Sequence, residues 1–142
     1  MDPEGFEREV DILRALRDEA GDTARVPRLA GTVGLAEGIP GIVTKWIDHE
    51  ASLYHTSVKN VSETTRRNWL GQIQGTLDLM HLKGLVWGSA KAENVLIDND
   101  QNAWVIDFGG EYTEGWVEKN VMESVEGDTQ GLLKIQDFLS SA

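Results

Sequence analysis

The sequence predicts a single α+β domain, on three observations. Apolar residues recur at helical spacing near the amino terminus and again over residues 62–83, which predicts a helix in each region. Two short apolar segments, VLID and AWVID, flank the turn sequence NDQN, which indicates a β-hairpin. The 142 residues fit one domain, with an ordinary 40% hydrophobic and 26% charged residues.

Composition excludes several classes of function. The chain has 24 acidic and 13 basic residues, a formal charge of −11, which argues against binding to nucleic acid or an anionic membrane. It has no cysteine, which excludes disulfides, thiolate zinc sites and iron–sulfur clusters. No apolar run approaches about 18 residues and no signal peptide opens the chain, so we expect an intracellular protein, cytoplasmic or nuclear.

The first 25 residues predict a helix with an apolar face. Phe6, Val10, Leu13 and Leu16 recur at helical spacing, and Glu9 falls inside the same arc. Two interpretations of Glu9 stay open. It reaches water at the edge of the arc, or it faces a cationic partner in a cleft.

Two antiparallel strands are expected next, over residues 26–34 and 41–48. Both segments are short and rich in Val, Ile and Thr, and a turn containing Gly and Pro separates them. Residues 49–61 show no clear period. The glycines between positions 31 and 41 lack the spacing of a phosphate-binding loop, so we interpret them as turn residues.

Ser62 is predicted to cap the long helix, and Gly84 to end it. Its apolar face consists of residues at helical spacing: Leu70, Ile73, Leu77 and Met80. Gly71 and Gly75 lie inside this helix and each cost about 1 kcal/mol relative to alanine, so close packing against another element is expected there.

The last predicted element is a helix capped by Asp128. Its apolar face is formed by Leu132, Ile135 and Leu139.

Polar residues stand at the open end of the predicted hairpin. Asn94 precedes its first strand, Asp107 follows its second strand, and Ser89 lies shortly before. A carboxylate and an amide oxygen brought together there would suit Mg²⁺ carrying phosphate. The alternative is a turn-capping asparagine and an aspartate in an Asx turn.

The segment GLVWGSAKAENVLID, followed by AWVIDFGG, resembles the catalytic and metal-binding loops of protein kinases. Lys91 and Asn94 match the K-x-E-N portion, and Asp107, Phe108 and Gly109 match D-F-G. The resemblance implies ATP as nucleotide, Asn94 and Asp107 as Mg²⁺ ligands, and Lys91 as the cation that neutralises the transferred phosphoryl group.

Other segments match the same family in the same order. FEREVDILRAL resembles the kinase C-helix, with Glu9 as its ion-pairing glutamate. EGDTQGLLKI resembles the start of the helix whose leading aspartate, here Asp128, braces the catalytic loop. GIVTKWID resembles the strand that enters the hinge, which makes nucleotide-binding candidates of Thr44, Lys45, Trp46 and Ile47.

The resemblance implies a partial kinase-like domain, from the C-helix through the helix after the activation segment. A small-lobe remnant of one helix and two strands would cover residues 1–48, and a mostly helical large-lobe portion residues 49–142. The WG dipeptide together with FGGEYTEGWV resembles divergent kinase-like proteins of filamentous fungi.

The departures from the family concern catalysis. Ser89 stands where the catalytic aspartate is expected, and losing a positioned general base typically costs about 10²–10⁴ in rate. Gly88 takes the place of the arginine beside it, which argues against switching by a phosphorylated loop. A glycine-rich loop and a phosphate-binding lysine ahead of Glu9 are not found in the 142 residues.

Three hypotheses follow. The first is a degenerate, pseudokinase-like domain with retained Mg²⁺ ligands, weak or vestigial ATP binding and little or no phosphotransfer. The second is an active ATP-dependent Ser/Thr kinase. The third is a non-catalytic interaction module, and incomplete large-lobe faces would favour a protein partner or self-association.

Overall fold

The computed structural model describes residues 3–21, 23–34, 41–45, 47–56, 58–109 and 124–140. In chain order its helices and strands are α1 (Pro3–Ala15), β1 (Leu29–Val33), β2 (Gly41–Thr44), β3 (His49–Ser52), α2 (Glu63–Leu82), β4 (Val95–Asp98), β5 (Ala103–Val105) and α3 (Val125–Ser140). Short 3₁₀ turns cover Leu53–His55, Val58–Asn60 and Ala92–Asn94. The predicted α+β class is confirmed.

Helix α1 is shorter than the sequence pattern predicts. It ends at Ala15, and turns follow as far as the Ala20–Ala24 bridge, so the prediction of a helix over 25 residues is wrong. Gly21 adopts φ +131°, a conformation outside the helical region, which explains why the chain turns there. Leu16 is still fully buried, because the turn continues the apolar face.

The strands form two separate sheets. β1 and β2 pair antiparallel as predicted, with Val33 opposite Gly41. β4 and β5 form the predicted hairpin, and β3 adds to the outer edge of β4 in a three-stranded sheet. The sequence did not predict β3, whose pairing with β4 places Ser52 opposite Leu96.

Helix α2 begins as predicted, because the Ser62 hydroxyl accepts a hydrogen bond from Thr65 N at 3.1 Å. Gly84 follows the helix with φ +75°. The prediction of close packing at the two internal glycines is wrong. Both are exposed, and a Cβ added to Gly71 or Gly75 would meet no atom within 4 Å.

Helix α3 starts four residues earlier than predicted. Ser124 caps it, since its Oγ accepts a hydrogen bond from Gly127 N at 3.0 Å, whereas Asp128 lies inside the first turn. Capping by Asp128 is therefore wrong. The predicted apolar face is correct, and it packs with α2 and the hairpin in one core through Leu132, Ile135 and Leu139.

Within the ranges given above, no helix has the length and apolarity needed to span a bilayer.

Candidate functional site

The β4–β5 hairpin brings the predicted polar residues to one end of the sheet. Val95 pairs with Val105, and Ile106 N donates to Asn94 O at 3.0 Å. Asn94 therefore lies beside the residue that precedes Asp107. The hairpin geometry expected from the sequence holds at this end.

Asn94 is held in a fixed orientation. Its side chain is 7% exposed, and Nδ2 donates to Ser89 O at 2.9 Å, which leaves Oδ1 as the end available to a cation. Its backbone N–H donates to Lys91 O at 3.0 Å and closes the 3₁₀ turn. Ser89 is buried at 4% exposure, and Lys91 is half-buried.

Asp107 has an unusual backbone conformation. Its φ of +64° lies in the left-handed region, which aspartate tolerates better than most residues but still at a cost of about 1 kcal/mol. Its Oδ1 accepts a hydrogen bond from Gly109 N at 3.3 Å. Such strain persists where the surroundings fix it, and it is frequent at functional sites.

Glu9 reaches this turn from α1. Its Oε1 accepts a hydrogen bond from Phe108 N at 2.9 Å, and the residue is half-buried. The partner is thus a backbone amide, which neither sequence interpretation of Glu9 named. Burial raises the pKa of the Glu9 carboxyl; the Phe108 amide opposes that rise, and the charge of Asp107 adds to it.

The raised pKa of Glu9 predicts a pH dependence of stability. Above the ordinary carboxyl pKa the folded state binds more protons than the unfolded state, so the free energy of unfolding falls as pH rises through this window. We expect Glu9→Gln, which keeps an acceptor for Phe108 N, to reduce this fall in the pH range that begins at the ordinary carboxyl pKa and extends upward. Urea unfolding in metal-free buffer checks it, and equal slopes in the two proteins would contradict it.

Asp128 braces the loop that precedes β4. Its carboxylate is 1% exposed and accepts hydrogen bonds from Trp87 N at 2.7 Å and Gly88 N at 2.9 Å. His81 Nε2 lies 2.8 Å from the same carboxylate. Trp87 Nε1 in turn donates to Ile106 O at 2.8 Å, so α3, the loop and the hairpin are joined.

Two contacts of this loop were not predicted from the sequence. Arg8 Nη2 donates to Val86 O at 2.7 Å, and Arg8 crowds Gly88. Gly131 of α3 lies against Ala90. The sequence did carry a signal for the Arg8 contact. Gly88 replaces the arginine of the family pattern, so this position leaves space for another side chain to pack against the loop.

Two of the four hinge positions, Lys45 and Ile47, lie near the turn of the hairpin and not at its open end. Thr44 ends β2, the exposed Lys45 donates its N–H to Arg28 O at 2.9 Å, and Trp46 is outside the described residues. Lys45 and Ile47 line a cavity of about 520 Å³ that also includes residues 98–100 at the hairpin turn. This cavity is one strand length, about 13 Å, from the Asn94 end of the hairpin.

The ligand set at the open end of the hairpin fits a hard cation. Asp107 offers carboxylate oxygen and Asn94 an amide oxygen, and Mg²⁺ is commonly held by one or two carboxylates together with water and substrate phosphates. In the described part of the chain no cluster of three or more His, Asp or Glu side chains could hold a metal alone. Such a cation would therefore need ligands from water and phosphate.

Comparison with known proteins finds similarity to protein kinases. No protein-family model matches the chain. A serine/threonine-protein kinase of Caenorhabditis elegans is 34% identical over 59 residues, 40% of this chain and 7% of that protein. A probable serine/threonine-protein kinase of Arabidopsis thaliana is 29% identical over 114 residues, 77% of this chain and 15% of that protein.

A third relative, a serine/threonine-protein kinase of Eremothecium gossypii, is 35% identical over 54 residues, 38% of this chain and 7% of that protein. These matches confirm the resemblance, and the chain is protein kinase-like. It spans between 7% and 15% of the length of these relatives.

Proposed function

We propose that the chain is a degenerate protein kinase-like domain that binds a nucleotide through Mg²⁺ and transfers its phosphoryl group weakly or not at all. One observation carries the proposal. Asn94 and Asp107 converge at one end of the hairpin, while the position expected to carry the catalytic carboxylate holds the buried Ser89.

The residues of this site would act by binding and orientation. Asn94 and Asp107 would hold Mg²⁺, which would supply positive charge to neutralise the phosphates of the nucleotide. The contact with Ser89 O turns the Asn94 amide so that its oxygen is available, and the Gly109 amide holds one Asp107 oxygen. Lys91 would add a positive charge beside the phosphates.

Proton transfer is the step for which position 89 provides no carboxylate. The Ser89 hydroxyl is neutral near pH 7, so it can hydrogen-bond to a substrate hydroxyl but cannot remove its proton. A positioned general base contributes about 10²–10⁴ in rate, which sets the size of the expected loss. Positioning and charge stabilisation would leave a low residual rate.

Charge also favours the metal-bound form of the nucleotide. The chain carries a formal charge of −11, so free ATP would be repelled. Burial is the main cause of the raised pKa of Glu9, and repulsion by the Asp107 carboxylate adds to it. A divalent cation at Asp107 would reduce both the repulsion of ATP by the chain and the repulsion between these two carboxylates.

Restoring the missing carboxylate tests the degenerate character. We expect the unmodified chain to transfer radiolabelled phosphate from ATP at or slightly above background level, and Ser89→Asp to raise transfer at least about 10²-fold. The matched control is Ser89→Asp combined with Asp107→Asn, which should return transfer to background because the Mg²⁺ ligand is removed.

Two outcomes would contradict the degenerate character. Strong transfer by the unmodified chain that Asp107→Asn abolishes would establish an active kinase instead. The absence of any gain in folded Ser89→Asp would show that Ser89 is not the obstacle.

Exposed apolar residues favour a second candidate, the non-catalytic interaction module. Leu82 is 83% exposed, and Leu133 of α3 is 55% exposed. Such a module would self-associate or bind a protein partner and would not respond to Mg²⁺ or nucleotide. Native mass measured with and without ATP and Mg²⁺ separates the two candidates, because it reports assembly and ligand together.

A further inference from the structure

Two neighbouring residues of α1 contact two different parts of the site. Arg8 Nη2 donates to Val86 O at 2.7 Å, and Glu9 Oε1 accepts from Phe108 N at 2.9 Å. The first contact holds the loop before β4, and the second holds the turn after β5. One helix thus fixes the two segments that carry the candidate ligands.

Gly88 is required for the first contact. It has φ +78°, and a Cβ at this position would lie 2.6 Å from Arg8 Nη2 and 3.2 Å from its Cζ. The loop backbone cannot yield, because Gly88 N is bonded to the buried Asp128 carboxylate at 2.9 Å. Arg8 is the flexible partner, so a side chain at position 88 would displace the guanidinium from Val86 O.

The Arg8 guanidinium donates a hydrogen bond that an apolar side chain of similar length could not donate. Arg8 Nε is buried, and within the described residues it has no hydrogen-bond partner, which carries a desolvation cost. Filling space alone would avoid that cost. Only the charged hydrogen bond to Val86 O is specific to arginine. The guanidinium reaches this oxygen because Gly88 has no side chain to block it.

We propose that Arg8 is a positioning residue that holds α1 against the loop, so that Glu9 reaches Phe108 N and Asp107 is kept in its ligating conformation. The clamp is the pair of contacts Arg8 to Val86 and Glu9 to Phe108. Its effect on ligand binding rests on the proposed function, whereas its effect on the turn does not.

Amide hydrogen exchange tests the clamp directly. Arg8→Met keeps the apolar stem and removes the guanidinium, and we expect it to speed exchange at Phe108 N–H at least about tenfold beyond any change in global stability. Exchange at Phe108 that is unchanged after this correction would overturn the proposal.

Gly88→Ala tests the same clamp without changing Arg8. Its matched control is Gly84→Ala, which has nearly the same φ of +75° but open space around the added Cβ. Both variants should lose stability through backbone strain. Only Gly88→Ala should also speed exchange at Phe108, and equal exchange in the two variants would contradict the clamp.

Combining Arg8→Met with Gly88→Ala measures the energetic coupling between the two positions. In the Arg8→Met background Gly88→Ala should lower Tm only as much as Gly84→Ala does, because no guanidinium is left to displace. If Gly88→Ala lowers Tm equally in the unmodified chain and in Arg8→Met, the contact of Arg8 with Val86 does not depend on Gly88. This cycle remains informative even where either single variant is destabilised.

Titration with ADP and Mg²⁺ separates failure of the clamp from failure of the proposed function. We expect Arg8→Met to weaken binding about tenfold, as loss of one charged hydrogen bond would allow. If the unmodified chain does not bind, the proposed function fails while the exchange results still decide the clamp. If folded Arg8→Met binds as tightly as the unmodified chain, the clamp does not position Asp107.

Discussion

Replacing Asp128 with alanine should lower the free energy of unfolding by about 3–5 kcal/mol. The carboxylate is 1% exposed and meets three groups, namely Trp87 N, Gly88 N and His81 Nε2, within 2.9 Å. Alanine would leave the two backbone donors buried without a partner, and each unsatisfied donor costs about 1–3 kcal/mol. Such a loss is a large fraction of the stability of a single domain.

Two further variants make the Asp128 result specific. Asp128→Asn keeps one acceptor oxygen but presents an amide N–H₂ to a donor, so we expect an intermediate loss. Asp137→Asn changes an exposed carboxylate on the same helix and should stay within about 0.5 kcal/mol. Urea unfolding measures all three. A loss at Asp128→Ala no larger than that at Asp137→Asn would show that α3 does not brace the loop.

Gly131→Ala should destabilise the domain by about 3 kcal/mol. An added Cβ would lie 2.5 Å from Ala90 O and closer still to the Ala90 Cβ, both in a buried segment that cannot move aside easily. Because Ala90 lies between Ser89 and Lys91, the displacement should also disturb the candidate site.

A matched glycine separates this clash from helix propensity. Gly71→Ala lies in the exposed part of α2, where an added Cβ meets nothing within 4 Å, and it should stabilise by about 0.5–1 kcal/mol. Opposite signs for the two glycines in urea unfolding are the expected result. A neutral or stabilising Gly131→Ala would mean that α3 and the loop are not in close contact.

The parts of the fold that could be predicted are those that local sequence determines. Two short apolar segments on either side of NDQN predict the β4–β5 hairpin, and the hairpin alone places Asn94 and Asp107 at one end. The serine cap of α2 is likewise a local signal. Strand β3 could not be predicted, because a short polar edge strand is defined by its partner rather than by its own pattern.

Contacts between residues far apart in the sequence explain why other features of the site were not predicted. An aspartate near a helix start gives the same local signal whether it caps its own helix or bonds another segment, so local pattern predicted a cap and only the family resemblance indicated the contact of Asp128 with the loop. The contact of Arg8 with Val86 spans 78 positions and has no periodic signature. Only the small residue at Gly88 indicated that something packs there.

The most direct test of the central claim is a titration of the chain with ADP, in the presence of Mg²⁺ and again in EDTA. The account predicts weak binding that needs Mg²⁺, disappears in Asp107→Asn and persists in Asp78→Asn, an exposed carboxylate on α2. Binding that survives EDTA, or that is equal in Asp107→Asn and the unmodified chain, would contradict a Mg²⁺ site at the end of the hairpin.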